Sequence, residues 1–166
     1  MPPELDVTDF SGDDPSATLT QVKNKWPDQP MVQNLAQATA TTGSLMLVGL
    51  STKPSPGVVR RGFILVISKV APDQTVDDLM YASKGNIEAT AVPGSVVYKK
   101  VKLQVGDAAC LQYQSRPGAG PSYAYLSYVL IHGERQFIFV FECAYADKEA
   151  WKAAAESAMK TVQFEP

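Results

Sequence analysis

The chain holds one histidine and two cysteines, and neither cysteine has the other within a C-x-x-C spacing. Zinc ligands from Cys and His usually come in closely spaced pairs, so a lone His and two widely separated Cys do not read as a metal cluster. An excess of charge of one sign is also missing. The 15 basic and 17 acidic residues leave a net charge of −2, which removes the basic footprint of a nucleic-acid binder. No apolar run reaches the roughly 18 residues that a membrane-spanning helix requires. Met1-Pro2-Pro3-Glu4 has neither a basic n-region nor an apolar h-region. The expectation is a chain without a leader of its own, either cytoplasmic or the mature form of an exported protein. Two cysteines leave that choice of compartment open.

What is present is an ordinary globular composition, 45% hydrophobic and 19% charged over 166 residues. That length suits one domain with a proper core. The most informative stretch runs from Tyr123 to Phe164. Tyr123–His132 and Arg135–Tyr145 read as strands joined by Gly133-Glu134, because glycine takes the positive φ that opens a type II′ turn. This register pairs Leu130 with Phe137, Tyr128 with Phe139, Leu126 with Phe141 and Ala124 with Cys143. Strand periodicity puts all eight on one face and leaves Tyr125 and Glu142 on the other. A helix follows, with Asp147 as its expected cap and Trp151, Ala154, Ala155, Ala158 and Val162 as its buried stripe.

Earlier in the chain, residues 1–15 read as an irregular lead-in, and residues 16–166 as the single domain. Ala17–Lys25 fits either a short strand or a helical turn. Met31–Thr41 reads as a helix with Val32, Leu35, Ala36 and Thr39 inward and Gly43 beyond its end. Leu45–Leu50 and Phe63–Val70 read as strands, separated by a Pro-rich loop, Ser51–Val59. Thr75 and Asp78 have capping-box spacing ahead of a helix face of Val76, Leu79, Met80 and Ile87. Val96–Val105 alternates as a strand. A three-residue loop at Gly106–Ala108 would set Val101 against Tyr113, Leu103 against Leu111 and Val105 against Ala109. Lys100, Lys102 and Cys110 then share a face. The loop Arg116–Pro121 leads into the hairpin, completing a four-strand antiparallel meander.

Catalytic signals are short and lack their companions. Ser157-Ala158-Met159-Lys160 has S-x-x-K spacing without the S-D-N or K-T-G elements that accompany it in enzymes. His132 sits beside a hairpin turn, where a general base would still need a nucleophile and an orienting group. Gly118-Ala119-Gly120 lacks dinucleotide-loop spacing, so no cofactor is expected. Asp9, Asp13 and Asp14 miss the alternation of a calcium loop, so no metal is expected. Lys99, Lys100 and Lys102 divide between two strand faces and read as solvated.

Trp26, the capped helix from Thr75, the meander, and Asp147-Lys148-Glu149-Ala150-Trp151 through Val162-Gln163-Phe164 together resemble the PsbP-like group. That group includes PsbP proteins, LpqN-type bacterial lipoproteins, a Ran-binding nuclear import relative and adaptor chaperones of type VI secretion effectors. The resemblance covers about residues 44–166. It implies an α+β fold, a single-domain α/β/α sandwich with a mainly antiparallel sheet. It also implies a non-enzymatic binding or assembly role, in a bacterial cell envelope or in the cytoplasm, with no shared catalytic residues to carry over. A protein partner is the first expectation. A small apolar ligand or lipid, or an effector for which the chain serves as adaptor chaperone, is the alternative. Arg60, Arg61 and Arg116 flank the two Pro- and Gly-rich loops and are the candidate partner-binding residues, because guanidinium suits bidentate contact with carboxylate or phosphate. Cys110 and Cys143, on opposite faces and separated by a strand, are expected to be free thiols.

Overall fold

The computed structural model describes residues 5–27, 29, 32, 44–52, 60–116 and 122–164. These form a seven-stranded antiparallel sheet and three α-helices. In chain order the elements are β1 (Leu5–Asp9), α1 (Pro15–Lys25), β2 (Ser44–Ser51), β3 (Gly62–Lys69) and α2 (Val76–Thr90). They continue with β4 (Val97–Leu103), β5 (Gly106–Gln114), β6 (Tyr123–His132), β7 (Arg135–Ala144) and α3 (Lys148–Met159). The spatial order β1-β2-β3-β7-β6-β5-β4 joins the C-terminal meander to the N-terminal three strands through β3 and β7. The α+β class and antiparallel sheet agree with the expectation. The expected helix at Met31–Thr41 falls almost wholly outside the described residues; Val32 is helical and buried.

Two of the local readings hold in detail. The β6–β7 register is Leu130↔Phe137, Tyr128↔Phe139, Leu126↔Phe141 and Ala124↔Cys143, and Gly133 takes a φ of 59° at its turn, which costs glycine little. The capping box of α2 is present: Asp78 N donates to Thr75 Oγ1 at 3.2 Å, and Thr75 N donates to Asp78 at 2.8 Å.

Two readings are corrected and one that was open is settled. Leu5–Asp9 is a strand rather than part of an irregular lead-in, paired along its length with β2. Its alternation of Leu5 and Val7 with Asp6 and Thr8 is a strand pattern, diluted by the surrounding Asp, Gly and Pro. Ala17–Lys25, open between strand and helix, lies in α1, which Asp14 caps by accepting from Ala17 N at 2.9 Å. Finally, Val101 lies opposite Ala108 and Tyr98 opposite Leu111, so the β4–β5 hairpin turns two residues earlier, at Gln104-Val105. This offset flips the facing of β5 against β4. Ala108 and Cys110 now face α3, while Lys100 and Lys102 share the other side with Ala109 and Leu111. Ala108 and Cys110 lie in the same core cluster as Trp151 and Ala155, so the observed register buries them.

The sheet is covered on both sides. One face carries Phe63, Cys110, Leu126, Tyr128, Leu130, Phe139, Phe141 and Cys143 beneath Trp151, Ala155 and Met159 of α3. The other carries two clusters: Val48, Leu50 and Val66 under Val22 of α1, and Ala109, Leu111 and Val129 under Leu79 of α2. Both cysteines are free, as expected, though they share a face. Cys110 pairs with Tyr128 while Cys143 pairs with Ala124. Two strand spacings and an offset of about 13 Å along the strands separate them, beyond disulfide reach.

Candidate functional site

The helix α3 packs on β6 and β7 and does not cover the full width of its face. Between its C-terminal end and the strands β1–β3 lies an apolar groove of about 190 Å³. Phe63, Leu65, Phe139 and Phe141 form its floor, Leu5 and Leu47 its outer wall, and Ala158, Met159, Thr161 and Val162 its inner wall. Each wall follows from sequence periodicity. Phe63 and Leu65 are two apart on β3, Phe139 and Phe141 two apart on β7, and the register places Phe63 opposite Phe141 and Leu65 opposite Phe139. The ring centroids of Phe63 and Phe141 are 5.2 Å apart in a tilted arrangement. Gly49 pairs with Val7, and the side chains of Leu5 and Val7 come within 3.4 Å of where its Cβ would stand, so they lie over β2. Beyond the groove the same side of β1 continues to Val7, 39% exposed.

Among the described residues no ionisable group lines the groove, which suits it to apolar contact. Ser157 and Lys160, which met the S-x-x-K spacing, are both exposed, off the buried stripe of α3. His132 stacks on Phe164, with centroids 4.2 Å apart. The buried thiols of Cys110 and Cys143 are held well above their ordinary range by desolvation, that of Cys143 at about 12, so neither is an activated nucleophile. Among the described residues, no group of three or more His, Cys, Asp or Glu could hold a metal. Nor is any helix among them long and apolar enough to cross a membrane.

The three candidate arginines do not converge. Arg60 stacks over Trp26 at 4.5 Å and donates from Nη1 to the carbonyls of Ser51 and Thr52, both at 2.9 Å. Arg61 points to the opposite side of β3, its Nε 3.6 Å from Asp147 Oδ2 and its guanidinium 5.9 Å from the Trp151 ring. This contact explains why Asp147, at the N-cap position of α3, makes no side-chain capping bond: its carboxylate turns to β3. Arg116 donates from Nε to the Ala91 carbonyl at 2.8 Å, tying β5's end to the end of α2. Residues 53–59 and 117–121 of the two favoured loops lie outside the described residues.

The opposite face holds the one buried carboxyl of the described core. Glu142 is 3% exposed, across from Gly62 on β3 and Tyr125 on β6. Burial raises its pKa from 4.5 to about 7, and hydrogen bonding with Tyr125 opposes that rise. Tyr125 in turn stacks on Tyr113, centroids 4.7 Å apart and nearly parallel. Desolvation and the nearby Glu142 raise both phenols, that of Tyr113 to about 12. The sequence placed Tyr125 opposite Glu142 but carried no sign that the pair is buried.

No protein-family model matches the chain, and no curated protein matches it in sequence. Among solved structures it is similar to PA94 from Pseudomonas aeruginosa, a protein of unknown function described as a candidate regulator. The two share 16% identity and superpose with a TM-score of 0.60, over 72% of this chain and 82% of that one. At this identity the likeness is one of fold, an α+β arrangement on an antiparallel sheet.

Proposed function

We propose that this chain is a non-enzymatic binding or assembly module of the PsbP-like group, and that the groove beside α3 receives an apolar side chain of a protein partner. The observation that carries the reading is the groove's size together with its lining. Pockets for whole small molecules span about 300–1,000 Å³, whereas an apolar cavity of about 150 Å³ takes a benzene-sized group. A volume of about 190 Å³ therefore matches one aromatic or branched aliphatic side chain presented by a larger molecule. Such an anchor in an apolar pocket is how protein interfaces concentrate their affinity. The internal contacts of Arg60, Arg61 and Arg116 make them supports of this framework, with the groove as the contact surface.

The test is affinity capture from the native host with the parent, Leu65→Arg, and an Arg60→Ala/Arg61→Ala/Arg116→Ala variant, each checked for unchanged folding. A partner recovered by the parent and lost with Leu65→Arg supports the reading. Recovery undiminished by Leu65→Arg but lost with the triple variant would return the contact surface to the arginines. A bound apolar small molecule in native mass spectra of the parent, absent from Leu65→Arg, would favour the ligand-binding alternative.

A further inference from the structure

The inner wall of the groove ends in a segment with little of its own to hold it. Thr161 still belongs to the end of α3, its N–H donating to the Ala158 carbonyl at 3.0 Å and its hydroxyl to the same carbonyl at 2.8 Å. Val162, Gln163 and Phe164 have no regular structure, and among the described residues no backbone hydrogen bond fixes them. Val162 packs against the core under α3, and Phe164 anchors the far end. Its ring lies on His132 at 4.2 Å, nearly parallel, and on Phe137 at 4.7 Å, tilted. His132 and Phe137 sit at the β6–β7 hairpin end on the same face as the groove, because Phe137, Phe139 and Phe141 alternate along β7. The groove floor stops at Phe139, and Phe137, the next residue of that row, lies under Phe164.

We propose that residues 161–164 form the movable wall of the groove, and that Phe164 is its latch. The inference rests on the groove being the binding site. With the latch closed, Val162 bounds a pocket for one apolar side chain. With Phe164 lifted from His132 and Phe137, the floor extends along Phe141, Phe139 and Phe137. The opened groove takes a second apolar side chain from an extended or helical partner segment. The asymmetry of restraint makes the wall the moving part. Strands β3 and β7 are laddered on both sides, whereas residues 162–164 join no ladder and are held by side-chain packing, Val162 on the core and Phe164 on His132 and Phe137. Sparse local restraint marks the segments that open first.

The test compares the parent with Phe164→Ala and the conservative Phe164→Leu, using amide hydrogen exchange and binding of the apolar dye 1-anilinonaphthalene-8-sulfonate. Phe164→Ala is expected to speed exchange at Thr161, whose N–H is bonded to the Ala158 carbonyl, by about tenfold or more while leaving Leu65 and Phe139 protected. It is also expected to tighten dye binding, with Phe164→Leu between it and the parent. Exchange at Thr161 unchanged within about twofold overturns the proposal. So does faster exchange with dye affinity equal to the parent's, a result that leaves the groove itself standing as the site. Dye binding that persists undiminished in Leu65→Arg removes the groove reading, and the latch as a gate falls with it.

Discussion

The two faces of the sheet are finished differently. Under α3 the core is a continuous block of aromatic and aliphatic side chains, crowned by Trp151, and its incompleteness is a lack of cover: the helix leaves an apolar groove along β1–β3. Under α1 and α2 the apolar surface is split into two clusters, and toward the C-terminal end of β7 the face buries a carboxyl among tyrosines. One face thus gives up burial of apolar area, and the other accepts a desolvated acid. Uncovered apolar surface gains by meeting a partner, while a buried acid responds to pH. The comparison sets an uncovered apolar groove on the α3 face against a pH-sensitive carboxyl on the other.

The strongest way to break this comparison is at the anchor of the α3 face. Trp151 is almost fully buried, its ring set edge-on to Phe141 with centroids 6.2 Å apart. Truncating such an aromatic typically costs about 3–5 kcal/mol, a large part of a stability of roughly 5–15 kcal/mol. Trp151→Ala should lower the thermal midpoint by several degrees, read by circular dichroism. A midpoint within about a degree of the parent's would show that α3 does not depend on this contact.

Next comes the pH response of the opposite face. In the unfolded chain Glu142 releases its proton near pH 4.5; in the fold it holds the proton to about 7. Between these values the folded state binds more protons, so the stability associated with neutral Glu142 is full below pH 4.5 and is lost as pH rises through 7. The difference of 2.5 pH units corresponds to about 3 kcal/mol. Denaturant melts at pH 5 and pH 8 should show the parent losing roughly 2 kcal/mol of this, with the slope largely absent in Glu142→Gln. Parallel pH profiles for the two proteins would place the titrating group elsewhere.

The smallest effect is at α2. Thr75→Ala removes one half of the capping box and should cost about 0.5–2 kcal/mol, with the loss seen as faster exchange in the first turn of α2. Unchanged exchange there would mean that Asp78 alone holds the helix start.

How much of this was legible depended on whether a local rule was sufficient. The β6–β7 register could be read because Gly133 fixes a two-residue turn between strands of clear alternation, and α2 because Thr75 and Asp78 mark its start. The β4–β5 register was misread because Gly106-Asp107 resembles a turn, whereas the observed register buries Ala108 and Cys110 in the core cluster that includes Trp151 and Ala155. Asp147, expected to cap α3, instead faces Arg61 across β3 and the start of α3, a contact between distant segments that no local rule supplies. The groove itself was beyond sequence reasoning. It exists because β7 pairs with β3, bringing Phe139 and Phe141 beside Phe63 and Leu65, and because α3 covers only part of that width.

The central claim, that the groove receives an apolar side chain of a protein partner, is tested most directly by photo-cross-linking from its outer wall. A photoreactive phenylalanine analogue at Leu47, with Tyr81 on α2, 67% exposed, as the control site, would be irradiated in the native host and the adducts mapped by mass spectrometry. The account predicts a cross-link from position 47 to an apolar residue of one partner protein, none to that partner from position 81, and loss of the cross-link with Leu65→Arg. Equal labelling of the same partner from both positions, or a cross-link from position 47 that survives Leu65→Arg, would contradict it.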